Sequence, residues 1–109
     1  MSPLLYLAQR ATALILALTV AVHLGTILYA VRGGLTAGEI LARTQGNGAF
    51  LAFYAVFVLA AAVHAPIGLR SVLREWTGWR GRSLDMAMIA LSALIAVLGL
   101  RAALAVFLA

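Results

Sequence analysis

An all-α membrane protein with three transmembrane helices is the fold this sequence predicts, and three observations carry the prediction. Of 109 residues, 65% are hydrophobic and only 11 carry a charge, too much apolar surface for a soluble fold of this size to hide. The apolar residues fall into three segments, about 4–31, 49–73 and 84–108, each meeting the roughly 20 residues needed to cross a hydrocarbon core. Arginines gather at the segment ends, where topology and lipid headgroups explain a net charge of +5 better than nucleic acid does. The chain reads as one transmembrane anchor domain, 1–109, with no internal repeat or linker. It contains no Cys, which excludes disulfides, thiolate catalysis and iron–sulfur clusters held by this chain.

The first segment begins almost at once and is too long for the apolar region of a signal peptide, so it is expected to stay as an anchor. The loop that follows, Arg32 to Gly48, is rich in Gly, and Thr36 to Arg43 within it predicts a short interfacial helix. In the second segment Pro66 cannot donate to the helix ladder, so the carbonyl of Ala62 loses its usual partner and a kink is expected. Trp76 and Trp79, in the loop from Arg74 to Ser83, are placed as interfacial anchors. Ser83 starts the third helix, with Asp85 as an acid near its positive end. Arg10, Arg70, Arg74, Arg80, Arg82 and the amino terminus outweigh Arg32, Arg43 and Arg101. The positive-inside rule therefore puts the N-terminus and the second loop in the cytoplasm. Gly25 and Gly99, among many Ala, permit close helix approach. Three helices make a thin bundle, so a larger one with a partner anchor subunit is expected.

Candidate chemistry centres on the second segment. At 100° per residue His64, Gly68, Ser71 and Glu75 share a stripe roughly 60° wide. Gly68, one turn from His64, leaves room for a flat or bulky group against the backbone. An ionisable residue inside a span is a functional hypothesis by default, and a neutral imidazole is the usual axial ligand of haem iron. A bland reading has each histidine simply bonding a neighbour. His23, in the first segment, shares a face with Thr12, Leu16, Thr19 and Ile27, and Thr19 is positioned to accept its N–H.

Counted from Arg10, His23 lies about 20 Å deep, and His64, counted from Arg74, about 15 Å. These depths are staggered, so two haems, each completed by a partner's histidine, fit better than one haem bridging both within a chain. Arg10, with Tyr6 one turn earlier, is either a snorkelling topology marker or a donor to a polar head group such as a quinone carbonyl. Glu75 is more simply a partner for Arg74 or Arg82 than a catalytic acid. Arg101 reads as a snorkelling residue.

In these residues the chain resembles the small cytochrome b membrane anchor of succinate dehydrogenase and fumarate reductase, complex II. The family's first helix opens with HR-[VL]-[ST]-G. Here Gln9-Arg10-Ala11-Thr12-Ala13 keeps the Arg and loses the His and Gly. Its second helix carries H-x-x-x-G-[IL]-R-H-x-x-x-D. Here His64, Gly68, Leu69 and Arg70 match at that spacing, Ser71 replaces the second His and Glu75 replaces the Asp. The run VHLGTILYAVRGG around His23 is similar to the first-helix ligand of the family's di-haem branch, which has four histidines over five helices.

The resemblance implies His64 and His23 as axial ligands of haem b, one or two haems shared with a partner subunit, with Gly68 beside the ring. It implies a quinone site with Arg10, Tyr6, Ser71, Glu75 and Trp76. It also implies a flavoprotein subunit, an iron–sulfur subunit and a second membrane anchor as partners, in a bacterial cytoplasmic membrane. The chain would then be non-catalytic alone, relaying electrons to quinone. A haem-free anchor of the same complex is the first alternative, and a small non-redox transporter or scaffold subunit the second.

Overall fold

The computed structural model describes residues 2–109. It contains helices α1 (Pro3–Gly33), α2 (Ala37–Thr44), α3 (Gly48–Thr77) and α4 (Arg82–Leu108), with no strand among the described residues. The three predicted spans are present and each is longer by a few residues; α1, α3 and α4 are long and apolar enough to cross a membrane. The short helix predicted within the first loop is present as α2.

Local chemistry explains each boundary. Ser2 accepts from the Leu5 amide at 3.2 Å and Pro3 occupies the first turn, where a missing amide is harmless. α2 opens on a capping box, in which Thr36 accepts from the Glu39 amide and the Glu39 carboxylate accepts from the Thr36 amide. Asn47 accepts from the Phe50 amide at 3.0 Å to start α3, and Gly78, at φ 76°, ends it in the left-handed conformation. The start of α4 differs from expectation. The helix begins at Arg82 behind Gly81, and Ser83 lies inside the first turn, its hydroxyl accepting from the Trp79 indole at 2.8 Å. A side chain already engaged by the loop is not free to cap.

α3 is the middle of the assembly: α1 packs on one side of it, α4 on the other, and α2 touches α4. The whole is 47 Å long. Within it the core is slight. Leu84 is fully buried, joined by Ala60, Ala62 and Ala103, and only 6–17% of each spanning window is buried inside the chain. Remaining apolar surface on these helices suits lipid or partner helices as solvent. On the α3–α4 seam, a Cβ at Gly99 would lie 2.5 and 2.8 Å from the Val58 methyls, so the glycine there permits the approach. Gly25 faces open space and plays no such part.

Pro66 sits inside α3, and the Ala62 carbonyl it leaves free takes the Ser92 hydroxyl of α4 at 2.6 Å. At the other end, the loop after α2 holds the last carbonyls of α4. Gly46 donates to Phe107 at 2.9 Å, Thr44 lies 3.3 Å from the Val106 carbonyl, and the Gln45 amide reaches Ala109.

Candidate functional site

Two histidines lie on the α1–α3 seam, each bonded across it. His64 Nδ1 is 3.3 Å from Thr12 Oγ1, and Thr12 is 9% exposed. One turn along α3, the space beside Gly68 is met by Gln9, whose Nε2 would be 3.2 Å from a Cβ there and whose Oε1 is buried with no partner. The space expected beside Gly68 is thus taken up in this chain by the Gln9 side chain. His23 Nδ1 is 2.8 Å from the Tyr54 hydroxyl, and its ring meets Tyr54 and Phe57 edge-on, with centroids 5.6 and 5.2 Å away. Thr19 is not its partner: that hydroxyl turns back to the Leu16 carbonyl at 3.4 Å. Tyr54 is the residue that sequence reasoning missed, and its signal is that a phenol within a span needs a polar partner.

The seam also sets depth. Thr12 is level with His64, and Tyr54 with His23. Those pairs are 11 residues apart on α1 and 10 on α3, so the imidazoles are separated by about 15 Å along the bundle. This exceeds the stagger expected from the arginines. Arg10 is two residues from Thr12 while Arg74 is ten from His64, an offset of eight residues, or about 12 Å, between markers taken as level. One planar group cannot bridge both rings within this chain.

Residues expected at a quinone site fall into separate places. Arg10 lies over the Tyr6 ring at 5.8 Å, and both are exposed. Ser71 and Glu75 line a polar cleft of about 310 Å³ with Arg70, Arg74 and Arg80. Ser71 donates to its own helix at Ile67, 3.4 Å away, and Trp76 is 84% exposed at the end of α3. No hydrogen bond or ion pair joins Arg10 to Ser71 or Glu75 among the described residues. Glu75 forms no pair with Arg74 or Arg82. The ion pair among the described residues is Arg70 Nε to Asp85 Oδ1 at 2.7 Å, which gives Asp85 a role beyond starting a helix. The pair also lines an apolar cleft of about 410 Å³ on α3 and α4, with Val63, Pro66, Ile89 and Ser92, and with Leu5 of α1. Neither cleft includes a histidine.

Single imidazoles held inside spans are present, while no group of three His, Asp or Glu side chains converges among the described residues.

A family model described as the succinate dehydrogenase/fumarate reductase transmembrane subunit matches residues 3–102. No curated protein and no solved structure matches the chain.

Proposed function

The chain belongs to the succinate dehydrogenase/fumarate reductase transmembrane subunit family, and from that premise we propose that it is the cytochrome b anchor of a succinate:quinone oxidoreductase. Its partners are a flavoprotein subunit, an iron–sulfur subunit and a second membrane anchor, in a bacterial cytoplasmic membrane with the N-terminus and the α3–α4 loop on the cytoplasmic side. What supports the haem reading is an imidazole well inside a span, fixed through one nitrogen by the neighbouring helix. Bound there, haem b supplies a one-electron store beside the quinone site.

His64 would hold the iron, and Gly68 would leave room for the group once Gln9, whose Nε2 lies beside it, moves aside. A partner's helices complete the pocket, because the seam is flanked by apolar surface this chain leaves open. His23 lies about 15 Å further along the bundle and is the ligand of a second haem in a di-haem assembly.

Quinone accepts two electrons, delivered by the iron–sulfur subunit, and two protons. Arg10, exposed on the outer face of α1, donates hydrogen bonds to a quinone carbonyl and steadies the negative charge that develops there. Glu75 and Ser71, in the arginine-lined cleft, hold protons or water at the aqueous end of the site, with Tyr6 and Trp76 as its walls. Assembly with the iron–sulfur subunit is what brings the α1 and α3 residues onto one substrate.

The test is a dithionite-reduced minus oxidised spectrum of the purified complex, with haem quantified per chain, repeated on His64→Ala and His23→Ala. A b-type signal lost with His64 supports the reading, and a second haem lost with His23 extends it to the di-haem form. A colourless complex that still reduces quinone leaves a haem-free anchor. A colourless chain without succinate-oxidising partners overturns the assignment in favour of a transporter or scaffold.

A further inference from the structure

We infer that Thr12 is a positioning residue that holds His64 in one tautomer, protonated at Nδ1, so that the Nε2 lone pair is free for iron. The inference deepens the haem reading and rests on it only for the identity of what Nε2 meets.

The argument is a proton count. A threonine hydroxyl has one proton to give. Thr12 Oγ1 lies 2.7 Å from the Ala8 carbonyl oxygen and 3.2 Å from that of Gln9. Carbonyl oxygens offer only lone pairs, so at 2.7 Å the hydroxyl proton must lie toward Ala8. What Thr12 presents to His64, 3.3 Å away, is therefore a lone pair, and only an N–H can face it. A neutral imidazole carries one ring proton; placed on Nδ1, it leaves Nε2 bare.

At 3.3 Å the bond is long, and its selectivity comes from the alternative. With the proton on Nε2, two lone pairs would face each other at a buried seam where water is scarce to relieve them. A donor bond from the far ring nitrogen is also what orients metal-binding histidines and raises their basicity.

His23 provides the contrast. Tyr54 lies 2.8 Å from its Nδ1, and no backbone carbonyl claims the phenol proton among the described residues. That proton is free to point at the ring, so geometry does not set the His23 tautomer.

The experiment reads ¹⁵N shifts of histidine-labelled complex in lipid nanodiscs, prepared from cells blocked in haem synthesis, with His64→Ala used for assignment. The haem midpoint potential is measured alongside on loaded complex. Wild type and Thr12→Ser are expected to show one His64 species, protonated at Nδ1 and bare at Nε2. Thr12→Val should turn it into a mixture, and in loaded complex raise the midpoint potential as ligand basicity falls. Thr12→Ala serves as the second variant if valine disturbs the seam. A wild-type His64 protonated at Nε2, or a tautomer indifferent to Thr12→Val and Thr12→Ala, overturns the inference while leaving the haem reading intact. A Thr12-dependent tautomer in a complex that never takes up haem does the reverse.

Discussion

Ser92, on α4, donates its hydroxyl at 2.6 Å to the carbonyl oxygen of Ala62, the acceptor that Pro66 leaves without an amide four residues on. One helix thus repairs the hydrogen-bond ladder of another, as a backbone group in a hydrocarbon setting requires. Ser92→Ala is expected to destabilise the chain by about 0.6–2 kcal/mol. Pro66→Ala restores the amide, so the double variant should lose less than the sum of the single losses. A double-mutant cycle by SDS unfolding tests this, and strict additivity would count against the repair.

Gly99 and Gly25 make opposite predictions from similar sequence surroundings. Gly99→Ala drives a methyl to within 2.5 Å of Val58 and should cost about 1–3 kcal/mol through overpacking, with rescue by Val58→Ala. Gly25→Ala meets nothing within 4 Å and should be neutral or slightly stabilising within the chain. Thermal unfolding of the two variants side by side decides it.

The Arg70–Asp85 pair is short, yet Asp85 is half exposed and solvent screens it. Asp85→Asn should therefore change stability by no more than about 1 kcal/mol, and by less still at high salt. A large, salt-independent loss would mean that a partner subunit buries the pair in the complex.

Gly34, at φ 113°, has the Glu39 carboxylate packed where a Cβ would sit, and its carbonyl accepts from Arg43 at 2.8 Å. Gly34→Ala must both strain the backbone and push out the capping-box partner of α2, a loss of about 1–3 kcal/mol. Limited proteolysis of the α1–α3 loop should quicken accordingly. Unchanged cleavage would show that the loop tolerates the displacement.

Arg10→Ala should lower kcat/KM for quinone at least tenfold, about 1.4 kcal/mol of transition-state stabilisation, without changing succinate oxidation by artificial acceptors. Full quinone reductase activity in that variant would remove Arg10 from the site.

The spans, the short helix of the first loop and the carbonyl orphaned by Pro66 are legible in the sequence because each depends on one segment's own composition and geometry. The partners are not. Thr12 shares the His23 face of α1, as its spacing predicts, yet its bond is to His64, because register between antiparallel helices decides who meets whom. Asp85 reads as a helix-start acid for the same reason: nothing in the local pattern reveals that Arg70, across the α3–α4 loop, lies within 2.7 Å. Arginines as depth markers misjudge the histidine spacing, since long side chains reach the interface from different levels. The residues expected at a quinone site can be named from sequence, but on this chain Arg10 and Tyr6 lie apart from Ser71 and Glu75.

The central place of α3 has a consequence for biogenesis. α1 leaves the ribosome first, and its packing partner is complete only at Thr77, 44 residues after Gly33. At roughly 5–20 residues per second that is an interval of some 2–9 s. During it the α1 threonines carry their own acceptors: Thr12 bonds to Ala8, Thr19 to Leu16 and Thr26 to Val22. His23 gains its bond only when Tyr54 arrives. Unlike those three threonines, the imidazole has no acceptor in its own helix and waits for a later one. A stalled nascent chain ending before Tyr54 should therefore be the form that insertion chaperones and membrane proteases recognise.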